Sequence, residues 1–423
     1  MREMKDSGVR WLGMIPKSWD LDKIVSLYSE RSTKVSDKDY PALSVTKQGI
    51  VPQLESAAKT DNGDNRKLIK KNDFVINSRS DRRGSCGISE YEGSCSLINI
   101  VLAPKNNMVN RYYNYLFKTE LFADEFYKWG NGIVDDLWST KWSNMKNIMV
   151  PFPSLEEQQA MAEYLDTKCA QIDTIIAKEQ SVIEKLQEYK QAVITEAVTT
   201  GLDPKVDMID SDINWIKTIP VTWKVSKLKY VADFSPKCDF TDIEPDTEVT
   251  YTPMEYIKKG NYIPNSEAIG KLSTSLTKYE EGDIVIAKVT PCFENGNIAI
   301  MNNLKSGKGL GSSELFVFRV PEVIRKFVFY WMQNKLFIER CVATMTGTGG
   351  LKRVSSYYIS NSEIFLPPLG LIDEICKYLD EKCEIIERTI RQKELLINQL
   401  NEYKKSLIYE VVTGKKEVPH DWI

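Results

Sequence analysis

The sequence predicts an α+β protein in which two strand-rich globular units alternate with two long helices of coiled-coil type. Three observations carry that expectation. From Leu155 to about Thr200, apolar or small residues fall at Ala162, Leu165, Cys169, Ile172, Ile176, Ile183, Leu186, Val193 and Ala197. This alternating four-three spacing is the seam of a coiled coil, narrower than the apolar face of a globular helix. From Leu369 to Gly414 the stretch returns with shared words. Tyr164-Leu165-Asp166 recurs as Tyr378-Leu379-Asp380, Lys168-Cys169 as Lys382-Cys383, and Glu188-Tyr189-Lys190 as Glu402-Tyr403-Lys404, each 214 residues on (378−164). The segments between the helices also hold matching strand-like cores, which makes the chain an internal duplication.

In chain order, the first segment is DSGVRWLGMIPKSWD, with Trp11, Ile15-Pro16 and Trp19. It returns as DSDINWIKTIPVTWK, with Trp215, Ile219-Pro220 and Trp223, each shifted by 204 (215−11). A fragment appears again at the end, Val418-Pro419-His420-Asp421-Trp422. A lone Trp-Pro-Trp cluster reads as packing of a chain end, but its repetition asks for more. The order unit, helix, unit, helix, start of a unit suggests a circular plan, with the C-terminus near the place of the first unit.

The globular units, about 20–150 and 224–365, diverge more than the helices. Asn72-Asp73-Phe74-Val75-Ile76-Asn77 corresponds to Gly282-Asp283-Ile284-Val285-Ile286-Ala287, and each opens into a polar loop, SRSDRRGSCG (78–87) or KVTPCFENG (288–296). β-Branched runs follow at Ile88 to Leu102 and Ile298 to Val320, then helical patterns at Tyr112 to Trp129 and Ile324 to Thr344. Gly-rich turns close each unit, GNGIVDDLWSTKW (130–142) and GTGGLKRVSS (347–356). A shared scaffold with divergent loops suits two modules that read two different things.

Pro153-Ser154 marks the start of the first helix and Gly201 its stop. At roughly 1.5 Å per residue it is about 65–70 Å long, a strut rather than a domain helix. Seam positions of the second helix include Leu379, Ile386, Lys393, Ile397 and Leu400. Glu179 interrupts the first seam, and its counterpart is Lys393. In an antiparallel pair these mid-helix charges would meet and fix register; the alternative is that both snorkel to solvent. The expected divisions are 1–152, 153–203, 204–366 and 367–423.

Composition is that of an ordinary soluble protein, 42% hydrophobic and 27% charged over 423 residues, with no apolar run near eighteen residues. The opening MREMKDSGVR does not read as a signal peptide, and eight cysteines without CxxC spacing read as reduced thiols, so a cytoplasmic location is expected. Net charge of −3 at first argues against nucleic acid, but residues 66–83 (RKLIKKNDFVINSRSDRR) are dense in Lys and Arg while the first helix is acidic. That segregation stays compatible with DNA.

Catalytic motifs are missing. The one histidine is His420, which excludes a Ser-His-Asp triad or an HExxH site. There is no GxxxxGK[ST] phosphate loop, and no Asn/Asp-Pro-Pro-aromatic tetrapeptide of the kind amino-methyltransferases use. Gly307-Lys308-Gly309-Leu310-Gly311 is glycine-rich without a helix start, and Asp135-Asp136 and Glu280-Glu281 read as solvated turns. The chain is not expected to be an enzyme alone.

The ordered set resembles the specificity subunit of type I restriction–modification systems along the whole chain. Two variable modules open with W-x3-IP-x2-W, and two repeated helices begin VPFPSLEEQ and LPPLGLIDE and end EAVTTGL and EVVTGKK. LGLIDE departs from the more typical SLEEQ of the first copy. The resemblance implies two α/β target recognition domains, each reading one half of a bipartite sequence in double-stranded DNA. It implies that the long helices pack as an antiparallel coiled coil and set the gap between half-sites. It further implies methylation subunits, two of them, docked on the helices, with restriction subunits joining for cleavage and no membrane association. S-adenosylmethionine, ATP and magnesium would sit on those partners, and this chain would hold no cofactor or metal.

Base edges in the major groove call for Arg, Lys, Asn, Gln, Ser and Thr on loops, with further basic residues on phosphates. The candidates are Lys47, Gln48, Arg79, Arg82, Arg83 and Lys141 in the first module, and Lys288, Thr290, Lys308, Lys352 and Arg353 in the second. For each alone, a solvated surface charge is the plain alternative. For the whole chain, the rival is a coiled-coil scaffold with two protein-binding modules and no nucleic acid.

Overall fold

Strand Phe74–Asn77 is buried along its whole length, which explains a hydrophobic run where a half-exposed strand would alternate. The computed structural model that shows this describes residues 2–53, 63–132, 138–348, 350–419 and 422. Packing divides the chain into two units, Met1–Glu179 with Glu394–Ile423, and Gln180–Lys393. Each unit therefore joins one globular module to one half of each long helix.

In the first unit, Phe74–Asn77 lies in an antiparallel sheet ordered Cys86–Ile88, Phe74–Asn77, Asn99–Pro104, Tyr28–Glu30. The period of two sends Phe74, Ile76, Ile100 and Leu102 into a core with Tyr112, Leu116, Phe117 and Phe122. Val75 and Val101 face the other way, into a smaller cluster with Leu43, Ile50 and Ile69. The helical pattern expected over Tyr112 to Trp129 is two helices, Asn110–Phe117 and Glu120–Lys128. Thr119 separates them: its Oγ1 accepts from the Phe122 amide at 3.3 Å, an N-cap that starts a new helix.

The second unit repeats the plan. Its sheet is ordered Asp233–Phe234, Leu315–Arg319, Ile284–Ala287, Ile298–Ile300. Ile284, Ile286, Phe316 and Phe318 face helices Glu322–Trp331 and Lys335–Ala343, separated by the Asn334 cap, while Val285 and Val317 line a second core. The matched words of the two strands are structurally equivalent. Asn72 (φ 72°) and Gly282 (φ 82°) precede Asp73 and Asp283, both about 1% exposed. Asp73 accepts from Arg31 Nε at 2.6 Å and Nη2 at 3.0 Å, and Asp283 from Arg319 Nε and Nη2 at 2.8 Å, so each buried carboxylate is closed by a forked guanidinium. A difference is the second sheet, where Glu248–Thr252 runs parallel to Lys308–Gly311. The glycines that looked nucleotide-like serve this sheet: a Cβ on Gly309 would lie 2.1 Å from the Tyr279 ring.

The long helices span Leu155–Thr199 and Leu369–Val412. The first opens with a capping box, Ser154 Oγ accepting from the Glu157 amide (3.2 Å) and Glu157 Oε2 from the Ser154 amide (3.3 Å). LGLIDE cannot form that box; Leu371 N instead bonds Pro368 O at 2.9 Å. Within each unit the half-helices run antiparallel. In the first, Lys404 meets Asp173, and Tyr164, earlier on its helix, meets Trp422, later in the chain. In the second, Lys190 meets Glu387, while Thr200 and Gly201 line one cleft with Leu371 and Ile375. Seam residues Leu165, Ile172, Leu379 and Ile386 are buried; Ile176, Ile183, Leu186, Ile397 and Leu400 are half-buried, as are Glu179 and Lys393.

Each module is clasped to its helix in the same way. Tyr115 and Arg111 both donate to Asp166 at 2.7 Å, and Tyr330 and Lys326 donate to Asp380 at 2.7 Å. The helices stop at Gly201 (φ 82°) and Gly414 (φ 72°), the left-handed C-terminal position that favours glycine. Gly201 abuts Trp223, and Gly414 abuts Pro16 and Trp19, the repeated Trp of the other module. With Val418 buried and Arg2 3.4 Å from Glu417, the tail lies against the start of the chain, as the circular plan expects. His420, Asp421, Asp135 and Asp136 lie outside the described residues.

Candidate nucleic-acid interface

The polar loop after the central strand and the Gly-rich segment after the last helix come together in both modules. In the first, Thr140 N bonds Ser78 O (2.9 Å), Ser80 N bonds Trp138 O (3.1 Å), and Ser139 bridges both Arg79 and Asn131. In the second, Val354 N bonds Lys288 O and Thr290 N bonds Lys352 O (both 3.0 Å), while Arg353 bridges Val289 and pairs with Thr346. Arg79–Ser139–Asn131 and Val289–Arg353–Thr346 are thus equivalent rows of backbone carrying different side chains.

The first row brings together four of the six candidates in its module. Arg79 is half-buried, Arg82 and Arg83 are exposed on the next turn, and Lys141 is exposed two residues after Ser139. Arg83 pairs with Asp124, and Arg82 lies 3.6 Å from Asp81. Lys47 and Gln48 are exposed at the tip of the hairpin Leu43–Thr46/Gly49–Pro52, whose Gly49 packs on Gly87 at the end of the loop.

In the second module the residues divide. Thr290 is 8% exposed, its hydroxyl donating to Gly350 O at 2.8 Å and accepting from Lys352 N at 3.0 Å. Thr290 thus ties the loop to the Gly-rich segment, because the loop folds onto the segment it was expected to stand beside. Lys288 is half-buried, with Nζ donating to Ser313 O at 2.6 Å over the Phe316 ring, and burial lowers its pKa. Lys308 bonds Asp239 O at the opposite end of its strand, away from this row. Lys352 and Arg353 are exposed, and Arg353 donates to Glu314 through Nε (2.8 Å) and Nη2 (2.6 Å). That pair holds the Glu314 carboxyl below its ordinary range.

The feature the sequence reading missed is a two-stranded ribbon, Thr346–Thr348 with Leu351–Arg353, exposed at all six positions. By composition it passes for a Gly-rich turn, although Gly349-Gly350 between alternating residues is a hairpin signal. All eight cysteines are free; burial pushes Cys86 and Cys341 up to about 12 and Cys95 up to about 11, while Cys292 in the 288–296 loop is half-buried. Among the described residues no helix is long and apolar enough to cross a membrane, and no group of three or more His, Cys, Asp or Glu could hold a metal.

Among known proteins, residues 27–185 match the family described as type I restriction modification DNA specificity domain. The type I restriction enzyme EcoAI specificity subunit of Escherichia coli is 35% identical over 156 residues, 36% of this chain. The chain spans about a quarter (26%) of that relative's length. The MjaVIII specificity subunit of Methanocaldococcus jannaschii is 25% identical over 428 residues, 96% of this chain and 94% of its own. A chain in a solved structure of a type I restriction–modification system shares the fold, with a TM-score of 0.70 at 12% identity over 95% of this chain and 99% of that one.

Proposed function

We propose, from the similarity of this chain to the specificity subunits of type I restriction–modification systems, that it is such a subunit and selects the DNA site on which the complex acts. Each module reads one half of a bipartite target in double-stranded DNA, and the two long helices set the gap. Two methylation subunits dock on the helices and modify adenines; restriction subunits join for cleavage. S-adenosylmethionine, ATP and magnesium belong to those partners, and this chain works in the cytoplasm without catalysis of its own.

The observation that carries the reading is the pair of equivalent rows, alike in backbone and unlike in side chain. Phosphate contacts position a protein on DNA, and base-edge contacts specify the site, so two modules with equivalent rows that carry different side chains suit two different half-sites.

The test is to co-express the chain with a methylation subunit in a methylation-free host and sequence modified bases genome-wide. Adenine methylation in one split motif with a fixed gap is the expected result. A soluble, assembled complex that methylates nothing would turn the reading toward a protein-binding scaffold.

A further inference from the structure

The exposed ribbon of the second module sorts its side chains by chemistry. Thr346 pairs with Arg353 and Thr348 with Leu351, so these four share one face, while Gly347 and Lys352 share the other. One face thus carries two hydroxyls, a branched apolar group and a guanidinium; the other carries a lone amine. Leu351 is 59% exposed at the tip, where burial gives no reason for leucine. Nor can Gly347 be exchanged for a larger residue, since a Cβ there would lie 2.3 Å from Leu351 O. The ribbon is narrow on its lysine side by necessity.

Resting on the reading above, we propose that this ribbon enters the major groove and is the base-reading element of the second module, with the Thr346, Thr348, Leu351 and Arg353 face against base edges. A two-stranded ribbon fits that groove, an apolar side chain there meets the thymine methyl, hydroxyls serve either base, and Arg recognises guanine O6 and N7. Glu314 takes the Nε/Nη2 edge of Arg353, and the Nη1/Nη2 edge lies outside that pair. Glu314 is therefore a positioning residue: it holds the fork so that its free edge can meet guanine in two bonds. Lys352, on the opposite face, reaches a phosphate. The half-site read by this module contains a guanine at Arg353 and a thymine at Leu351.

The test uses full-length Leu351→Ala, Lys352→Ala, Arg353→Ala and Glu314→Gln chains, each assembled with the methylation subunit. The readouts are genome-wide methylation and anisotropy on duplexes substituted one base pair at a time. Arg353→Ala should lower discrimination at one G·C pair by roughly tenfold or more. Glu314→Gln should lower it at that same pair without shifting the rest of the motif. Leu351→Ala should relax one A·T pair a few-fold, and Lys352→Ala should weaken all duplexes equally and flatten the salt dependence. The other half-site and the gap should not change. If all four folded variants keep the wild-type motif and discrimination, the ribbon is not the reader, although the specificity role stands. If wild-type complex methylates no split motif, both fall together.

Discussion

Lys404 Nζ lies 2.7 Å from both carboxylate oxygens of Asp173, and the same relation recurs between Lys190 and Glu387 at 2.5 Å. The acids are 214 apart (387−173), as are the lysines (404−190), so the duplication preserved the cross-helix pair and exchanged its partners. Residue numbers sum to 577 in both (173+404, 190+387), which sets one antiparallel register in the two units. One such pair lies within each unit, on either side of the seam charges Glu179 and Lys393.

A double-mutant cycle on Asp173→Asn and Lys404→Met should give a coupling of about 0.5–1 kcal/mol, because the pair is only partly screened from solvent. The Glu387–Lys190 cycle should match or exceed it, since Lys190 is the more buried lysine. Urea unfolding measures both; zero coupling in each would leave register to the apolar seam alone.

Gly414→Ala should cost more than Gly201→Ala. Both impose positive-φ strain of about 1 kcal/mol, but a Cβ at 414 meets Pro16 at 2.4 Å, whereas one at 201 meets Trp223 at an ordinary 3.4 Å. Thermal unfolding should show the larger loss at 414. Equal losses would mean that the tail yields.

Arg82→Ala with Arg83→Ala should weaken binding to the duplex and reduce the slope of log affinity against log salt by about 1–2 if both meet phosphates. The methylated sequence should stay the same. An unaltered slope at moderate salt would remove both from the interface.

One heptad inserted in each long helix, after residues 180 and 393, leaves both cross-helix ion pairs within their own units. The strut lengthens by about 10 Å, roughly three base pairs at about 3.4 Å each. Methylation sequencing should then find unchanged half-sites at a wider gap; a new half-site at the old gap would refute the helices as the ruler.

Acid should loosen the ribbon. Arg353 holds Glu314 below the ordinary carboxylate value of 4.5, so the pair is intact above that pH and is lost as pH falls through the lower folded value. The Arg353 Nε–H resonance should stay fixed from neutral pH to about 5 and shift only below about 4.5. In Glu314→Gln the shift should vanish.

The scaffold was legible because repetition is a signal that survives without coordinates. The 214-residue offset, the strand word around Asp73 and Asp283, and the Trp-Pro-Trp segments each mapped onto equivalent structure. The helix breaks at Thr119 and Asn334 were missed because the apolar period runs on across the caps. The site was less legible, since sequence spacing does not show which loop folds over which. Thr290 was buried by the ribbon it holds, Lys308 was carried to the far end of its strand, and Arg353 found Glu314 39 residues away. Charge alone points to Lys352 and Arg353 but passes over Thr346, Thr348 and Leu351, whose signal is an alternation around two glycines.

The thiols offer a practical handle. Six of the eight are buried and two, Cys238 and Cys292, are half-buried; Cys238 is tied to Arg319, which leaves Cys292 as the natural anchor for a dye. It stands two residues from Thr290, which touches the ribbon through Gly350 and Lys352. A maleimide fluorophore attached to the unmutated protein would therefore report occupancy of this rim in real time, without any engineered cysteine.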